Sequence, residues 1–370
     1  MLTWLINCAT VCVMCALLAG VVIPQILLIA FRRSLFDEPD ERKIHTSLVP
    51  RLGGIAFAPV IMFSVVLLIG LSIAFDEKIF FEFTNTARPL CFGFCSVMML
   101  YLIGMADDMV GIRYRAKFVA QILCGVMLIT GGISIDNLNN VLGIGLLPEW
   151  ISWTLTILVV VYIVNSINLI DGIDGLASGL SGIASLYYGL MFFYMGDYVF
   201  AMVSFATLGV LIPFFYYNVF GNPEHQKKIF MGDTGSLTIG LILSFLSIRM
   251  ANCDITSYPD KANPLVLAFS PLIVPCFDVI RVYLHRVRNG KNPFLPDKNH
   301  IHHKLLAIGM PQRTAMISII SGSLLLTLLN LRLSPFVNVN ILIISDLIIW
   351  ILFNIWLSRR AQTINRNKQR

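Results

Sequence analysis

Residues 153–175 read WTLTILVVVYIVNSINLIDGIDG, an uncharged apolar run that ends in polar residues spaced three apart. The run is typical of a helix that crosses a hydrocarbon core, which needs roughly 17 to 25 residues. The polar residues that end it are Asn165, Asn168, Asp171 and Asp174, with no Lys or Arg nearby in the sequence. A spacing of three drifts by about 60 degrees per step on an α-helix, so the four cannot share one helical face. Because Gly172 and Gly175 disfavour a continuing helix, we expect it to end near Ile170, with both aspartates in the following loop.

The whole chain has the composition of an integral membrane protein. Its 370 residues are 57% hydrophobic and 13% charged, whereas soluble domains carry about 25% charged residues, and its mean hydropathy is +0.79. We therefore expect a single all-α membrane domain over residues 1–370, a polytopic helical bundle in the lipid bilayer. Stretches of spanning length predict about 11 transmembrane helices, which begin near Leu2, Ile55, Pro89, Phe118, Trp150, Leu176, Tyr198, Ser236, Asn263, Ala315 and Pro335.

The basic residues predict how this bundle is oriented, because Lys and Arg hold their loops in the cytoplasm. With every second loop placed inward after the first helix, few of the 27 Lys and Arg residues fall outside: Lys78, Arg88, Arg249, Lys261 and Arg332. This predicts an external amino terminus and a cytoplasmic carboxyl terminus. The net charge of +6 suits an anionic inner leaflet. We expect no nucleic-acid partner, because no nucleic-acid-binding fold accompanies the basic residues.

Five polar clusters fall on the inward loops. They are HTSLVPRLGG (45–54), ADDMVGIRYRAK (106–117), NSINLIDGIDG (165–175), KKIFMGDTGS (227–236) and PFLPDKNHIHHKLL (293–306). The outer loops contain nothing comparable. The sequence therefore predicts a functional site on the cytoplasmic face.

The acidic clusters favour a bound cation. Asp107 and Asp108 are adjacent and repel each other, which favours a metal ion, a proton or a cationic side chain beside them. The alternative for this pair is a solvated helix end. Carboxylate and amide oxygens converging after Ile170 are the ligands that magnesium selects, although Asn and Asp beside Gly also form ordinary turns.

The remaining clusters suggest phosphate binding. In GDTGS, Asp233 stands where free amides at a helix start can bind phosphate, with Thr234 and Ser236 as candidate hydroxyl caps. A simple helix cap explains the hydroxyls equally well. The three histidines of the last cluster lie between Lys298 and Lys304, and such donors suit phosphate oxygens; they are His300, His302 and His303. A solvated basic loop is the alternative, and zinc is disfavoured because no Cys lies near and the carboxylates favour a hard cation.

Together the motifs resemble the polyprenyl-phosphate N-acetylhexosamine-1-phosphate transferases. The resemblance rests on PRLGG (50–54), DD (107–108), NxxNxxDGIDGL (165–176), GDTGSL (232–237) and HIHH (300–303), in this order along nearly the whole chain. PRLGG and HIHH are more similar to the WecA and TagO branch than to the phospho-MurNAc-pentapeptide translocases. Lys298 and Lys304 depart from the arginines that flank HIHH in many relatives, and a Lys offers a point charge in place of a bidentate contact.

The resemblance implies a bacterial inner-membrane enzyme that transfers GlcNAc-1-phosphate from UDP-GlcNAc to undecaprenyl phosphate. It implies Mg²⁺, with Mn²⁺ as a substitute, bound near Asn168 and Asp233. The implied catalytic residues are Asp107, Asp108, Asp171 and Asp174. The implied substrate and phosphate ligands are Asn165, Lys298, His300, His302 and His303. On this interpretation the local carboxylates lack a basic neighbour because a metal ion is their counter-ion.

Alternatives remain at this level. Another UDP-N-acetylhexosamine would fit the same motifs, and a homodimer is compatible with such a bundle although no residue demonstrates it. A secondary transporter also combines many spans with broken helices beside acidic residues. Transporter sites lie near the bilayer midplane, whereas these clusters lie at helix ends, so we favour the enzyme. We expect the lipid phosphate to attack directly, because it already carries a nucleophilic oxygen.

Overall fold

The computed structural model describes residues 1–33, 49–75, 77–253, 262–290 and 299–368 of the chain. These residues form a helical bundle with one small hairpin. The helices are α1 (Leu2–Arg32), α2 (Phe57–Phe75), α3 (Glu77–Val110), α4 (Tyr114–Thr130), α5 (Glu149–Ile170), α6 (Leu176–Met195), α7 (Tyr198–Val219), α8 (Gly232–Ala251), α9 (Pro264–Phe269), α10 (Ile273–Arg288), α11 (Ile301–Ala307), α12 (Gln312–Leu333) and α13 (Val339–Lys368). The strands are β1 (Asn137–Val141) and β2 (Ile144–Leu146).

Ten of the described helical segments are long and apolar enough to cross a membrane, against the 11 expected. The difference is α4, which has 17 residues and is shorter than the other candidate spans. The predicted ninth span is α9 and α10 joined by a 3-10 turn at Ser270–Leu272, where Pro271 interrupts the helical hydrogen bonds. The polytopic all-α class is thus confirmed in its main features, and the membrane orientation stays a prediction.

The chain termini lie toward opposite ends of the bundle. Trp4 stacks on Tyr198 with ring centroids 5.1 Å apart, and Tyr198 begins α7 at the end remote from the Asp171 loop. Near the other terminus, Ser358 of α13 accepts a hydrogen bond of 3.0 Å from Lys304, next to the HIHH motif. The carboxyl-terminal helix therefore reaches the end of the bundle that carries the polar clusters.

Helix α8 forms the centre of the bundle, with nearly all of its length buried. Small residues permit this, because a Cβ atom on Gly240 would press against the α5 backbone at Val164 and glycine allows such close helix packing in membranes. The buried hydroxyl of Thr238 is satisfied within the helix, because it donates to the carbonyl of Thr234, one turn earlier, at 2.6 Å. The helix predicted from Ser236 begins at Gly232, so the GDTGS motif forms its first turn.

The β1–β2 hairpin was not predicted from the sequence. It precedes α5, so it lies at the opposite end of that helix from Asp171. Its connection uses left-handed backbone at Leu142 and Gly143, which suits a tight hairpin. Hydrogen bonds to Asn340 tie the hairpin to the start of α13.

Asp346, which has no evident partner in the sequence, faces the interior of the bundle. Its side chain is 7% exposed and accepts a hydrogen bond of 2.8 Å from Asn330 of α12. Intramembrane carboxylates are expected to find such partners.

Candidate functional site

The first turn of α8 is held by a carboxylate from another helix. Asp108, near the end of α3, accepts the backbone N–H groups of Asp233 and Thr234, both at 2.8 Å. It also accepts the Thr234 hydroxyl at 2.5 Å. These bonds satisfy amides that every helix start leaves unpaired, and a negative charge there is favoured by the helix dipole.

This arrangement corrects two expectations. The hydroxyls of Thr234 and Ser236 do not cap α8, whose N-cap residue is Met231 and has no side-chain cap. The two amides that were expected to be free for phosphate already bind Asp108. The reason is that α3 and α8 pack side by side, which the local sequence does not reveal.

Lys117 brings two of the acidic clusters together. Its ammonium lies 2.8 Å from Oδ2 of Asp107 and 2.7 Å from Oδ2 of Asp233. Asp107 also accepts the backbone N–H of Ile112 at 2.5 Å. The two carboxylates are therefore close neighbours that share one cation.

Asn168 completes this group, whereas Asn165 does not join it. Nδ2 of Asn168 donates to Oδ1 of Asp233 at 3.1 Å and to the Ser236 hydroxyl at 2.9 Å. One turn deeper, Nδ2 of Asn165 donates to Oε1 of the buried Gln121 at 2.7 Å. As predicted, α5 ends at Ile170 and leaves both asparagines on its last turns.

The PRLGG motif packs directly on the loop that leads into α8. The N–H of Gly53 donates to the carbonyl of Phe230 at 3.0 Å, and the N–H of Gly54 donates to the carbonyl of Met231 at 2.9 Å. A Cβ atom on Gly54 would overlap the backbone of Gly235. Two glycines from separate motifs thus permit one close backbone approach.

The DGIDG loop is fixed by the segment between α7 and α8. Lys228 forms an ion pair of 2.5 Å with Asp174, and the backbone N–H of Gly175 donates to Asn218 at 2.6 Å. Lys117 and Lys228 therefore compensate acidic groups that appear unpaired in the local sequence. For Asp174, this corrects the expectation that only a metal would supply the counter-charge.

Asp171, in the DGIDG loop, has a raised pKa. The residue is exposed to solvent. Partial desolvation of its carboxyl group, together with the nearby negative charges of Asp233 and Asp174, raises the pKa of Asp171 to about 7. Arg51 opposes the shift. Carboxyl groups with such pKa values are frequent in functional sites.

The HIHH histidines close over the DGIDG loop. His302 is 1% exposed, and a Cβ atom on Gly172 would overlap its imidazole. His300 and His302 stack with ring centroids 5.7 Å apart, and His303 lies 4.2 Å from His302 by the same measure. Burial lowers the pKa of His302 to about 3, so its ring is neutral near pH 7. Neither ring nitrogen of His302 has a hydrogen-bond partner in the described part of the chain.

A carboxylate of α10 holds His300 in place. Its Nδ1 atom lies 2.8 Å from Oδ2 of Asp278, a carboxylate with no exposed surface. Asp278 also forms an ion pair of 2.8 Å with Arg281, three residues along the same helix. The contact with His300 was not foreseen, because 22 residues separate the two in sequence.

Of the two lysines that flank HIHH, the structure describes only Lys304. Lys298 lies outside the described residues. Lys304 turns toward α13, where it donates to the Ser358 hydroxyl at 3.0 Å, and burial lowers its pKa to about 8. A pocket of ≈ 400 Å³ opens beside the loop, and its lining includes Asp174, Lys228, Gln312 and Arg313.

The structure thus brings most of the sequence-predicted residues to one end of the bundle. Sequence reasoning missed the roles of Lys117, Lys228 and Asp278, for which the only signal was a charged residue beside an apolar helix. Within the described residues, no three His, Cys, Asp or Glu side chains gather as a ready metal site. An oxygen-ligand ion that keeps waters and substrate phosphates needs only one or two carboxylates. Asp233, Asp107 and the Asn168 amide offer that donor set.

Comparison with known proteins gives the family. Residues 90–251 match the family model described as glycosyl transferase family 4. The chain is 31% identical over 308 residues to the decaprenyl-phosphate N-acetylglucosaminephosphotransferase of Mycolicibacterium smegmatis, covering 79% of this chain and 73% of that protein. It is 29% identical over 304 residues to a probable undecaprenyl-phosphate N-acetylglucosaminyl 1-phosphate transferase of Bacillus subtilis, covering 81% and 77%.

A third relative matches over a longer stretch. The undecaprenyl-phosphate alpha-N-acetylglucosaminyl 1-phosphate transferase of Escherichia coli O157:H7 is 27% identical over 356 residues, which is 92% of this chain and 89% of the relative. All three relatives are named as N-acetylglucosamine phosphate transferases that act on a polyprenyl phosphate. The chain therefore belongs to glycosyl transferase family 4, with the WecA-like polyprenyl-phosphate N-acetylglucosamine-1-phosphate transferases.

Proposed function

We propose that the protein transfers GlcNAc-1-phosphate from UDP-GlcNAc to undecaprenyl phosphate at the cytoplasmic face of the bacterial inner membrane. The products are undecaprenyl-pyrophosphoryl-GlcNAc and UMP, and the step would start a cell-surface glycan. The observation that carries the proposal is the position of Asp233. It is linked to Lys117 at 2.7 Å and to Asn168 at 3.1 Å, and its amide is bound by Asp108.

The reaction needs one bond to form and one to break. An oxygen of the lipid phosphate attacks the phosphorus that carries GlcNAc, and the bond from that phosphorus to the bridging oxygen breaks. The electron pair stays on the UMP phosphate. Catalysis of such transfers consists mainly of positioning the phosphates and neutralising their charge.

The chain's own residues supply these contributions. Lys117 and Lys228 lie beside the carboxylates and can contact phosphate oxygens when a substrate replaces their present partners. The neutral His302 can donate one ring N–H to a phosphate oxygen. Asp108 keeps the first turn of α8 in place, so that Asp233 faces Asn168. The pocket beside Asp174 leaves room for part of the donor.

A magnesium ion fits this site, with Mn²⁺ as a substitute. The donor atoms are hard oxygens of Asp107, Asp233 and Asn168, and Lys117 already holds a positive charge between the two carboxylates. When bound, the ion would neutralise charge on the donor pyrophosphate. We infer direct attack by the lipid phosphate, and a phospho-GlcNAc enzyme trapped on any of these aspartates would contradict it.

The test is UMP release by the purified protein. The protein is incubated with UDP-GlcNAc, with and without undecaprenyl phosphate, and with magnesium or a chelator. We expect release only when both lipid and metal are present. Release with a different UDP-N-acetylhexosamine would keep the reaction and correct the donor, whereas no release with any donor would reject the proposal.

A further inference from the structure

Asp278 is a buried carboxylate that none of the roles above uses. It lies on α10 with no exposed surface, so it cannot touch a substrate. Its Oδ1 atom accepts the backbone N–H of Ile301 at 3.0 Å and a guanidinium N–H of Arg281 at 2.8 Å. Its Oδ2 atom faces Nδ1 of His300 at 2.8 Å.

These contacts determine the tautomer of His300. The guanidinium of Arg281 supplies the counter-charge of an ionised carboxylate, and an ionised carboxylate can only accept hydrogen bonds. Nδ1 of His300 must therefore carry a proton and donate it to Asp278. The other ring nitrogen, Nε2, is the atom that His300 can offer to a substrate. A partner on one ring nitrogen commonly sets the state of the other in this way.

His300 is distinguished from its neighbour by this contact. The rings of His300 and His302 are stacked, with 5° between their planes, so the two imidazoles are presented side by side. His302 has no partner for either nitrogen within the described residues. Among the described residues, the charged and titratable groups around His300 include Asp278 and Arg281 from α10, and His302, His303 and Lys304 from its own segment.

We propose that Asp278 is a positioning residue, which binds Nδ1–H of His300 and stabilises the imidazolium form, in which Nε2–H donates a hydrogen bond to a substrate phosphate. The second proton, on Nε2, comes from solvent. The inference rests on the proposed function. As the phosphorus–oxygen bond of the donor breaks, its electron pair moves onto the UMP phosphate, and a proton on Nε2 bonds to one of its oxygens. With both nitrogens protonated, His300 is a cation, and the carboxylate of Asp278 at Nδ1 balances its charge. No proton or electron passes to Asp278.

The variant Asp278→Asn tests this role because its geometry is constrained. The N–H groups of Ile301 and Arg281 still require an acceptor, so the amide oxygen takes the place of Oδ1. The amide nitrogen then faces His300 and donates to Nδ1, which forces the proton onto Nε2. The ring keeps a donor for phosphate but can no longer become a cation while it accepts at Nδ1.

The kinetic expectation is a loss of kcat with little change in KM. We expect kcat to fall by about tenfold or more, since a positive charge near the departing phosphate acts mainly in the transition state. KM for UDP-GlcNAc should change by less than about threefold, because a neutral N–H still binds the ground state. A rise in KM at unchanged kcat would contradict the proposal.

A spectroscopic measurement separates this role from a general structural one. The protein is labelled with ¹⁵N-histidine, and the His300 signals among the six histidines are identified by their loss in His300→Gln. In the neutral ring, the wild type should show Nδ1–H and Asp278→Asn should show Nε2–H. The same tautomer in both proteins would overturn the proposal. If Asp278→Asn does not fold, an unprotonated Nδ1 in the wild type would overturn it alone.

A double variant and a matched control complete the test. If Asp278 acts through His300, then Asp278→Asn in a His300→Gln background should lower kcat by no more than about twofold further. A larger additional loss would show another role. Asp197→Asn removes a carboxylate paired with Arg249 at 2.8 Å at the remote end of the bundle, and it should leave both kcat and the His300 spectrum unchanged. If the wild type releases no UMP, the proposed function fails, while the spectra still decide the His300 tautomer.

Discussion

Asp108 accepts hydrogen bonds from both the backbone N–H and the hydroxyl of Thr234, so a side chain of α3 fixes the start of α8. This single contact joins two motifs that lie 126 residues apart in sequence. It also explains why a carboxylate suits this position: a carboxylate only accepts hydrogen bonds, and it faces three donors, the two backbone N–H groups and the Thr234 hydroxyl. The same contact determines where Asp233 is placed.

Asp108→Asn should lower both activity and stability. An amide offers one acceptor oxygen and turns its N–H₂ group toward donors, so we expect a loss of about 1–2 kcal/mol from the cap. UMP release should fall to near background because Asp233 is displaced. Thermal unfolding in detergent and the release assay measure the two effects. Thr234→Val removes only the hydroxyl bond and should give a smaller change in both; equal effects would contradict this account.

Lys117→Ala should reduce activity because it leaves Asp107 and Asp233 close together without a shared cation. We expect at least about a tenfold lower rate of UMP release, equivalent to about 1.4 kcal/mol in the barrier. Arg115→Ala is the matched control, since Arg115 lies on the same helix and is exposed. A normal rate in Lys117→Ala would remove Lys117 from the site.

Gly172→Ala should displace the HIHH segment. The added Cβ atom would overlap the buried imidazole of His302, and overpacking of this kind costs about 1–3 kcal/mol. We expect a lower unfolding temperature and a lower rate of UMP release. Gly322→Ala on α12 has open space at its Cβ position and should be neutral or slightly stabilising. If the two variants have the same unfolding temperature and the same rate of UMP release, Gly172 does not pack against His302 as described.

His302 should make the protein less stable in mild acid. Burial lowers its pKa in the folded state to about 3, whereas an unfolded histidine titrates near 6.5. Between these values the unfolded chain binds the extra proton, so the free energy of unfolding falls as the pH drops below about 6.5. Unfolding temperatures at pH 7.5 and pH 5 should therefore differ more for the wild type than for His302→Gln. His225→Gln, at an exposed position, should keep the wild-type difference.

The sequence was sufficient for the helices and for the end of α5. A run of apolar residues long enough to cross a bilayer forms a helix because its backbone groups have no other partner in lipid. Gly172 and Gly175 then predicted the break after Ile170, where α5 ends. The expected span at α4 differs from the structure, because its 17 residues are at the lower limit of a spanning helix.

The partners of the charged groups could not be predicted from local spacing. Lys117 meets Asp233 across 116 residues and Lys228 meets Asp174 across 54, and neither distance has a periodic signature. For the same reason, the sequence did not reveal that the amides of Asp233 and Thr234, expected to be free for phosphate, are bound by Asp108 from a separate helix.

The amino-acid sequence by itself determined that this chain is a membrane bundle whose polar motifs lie at helix ends. It did so because hydropathy and helix-breaking residues act over a few neighbours. Only the tertiary structure decided which of those residues meet: Asp108 with Thr234, Lys117 with two carboxylates, and Asp278 with His300. These choices depend on how the helices pack around α8, where small residues and buried hydrogen bonds set distances that no single segment encodes.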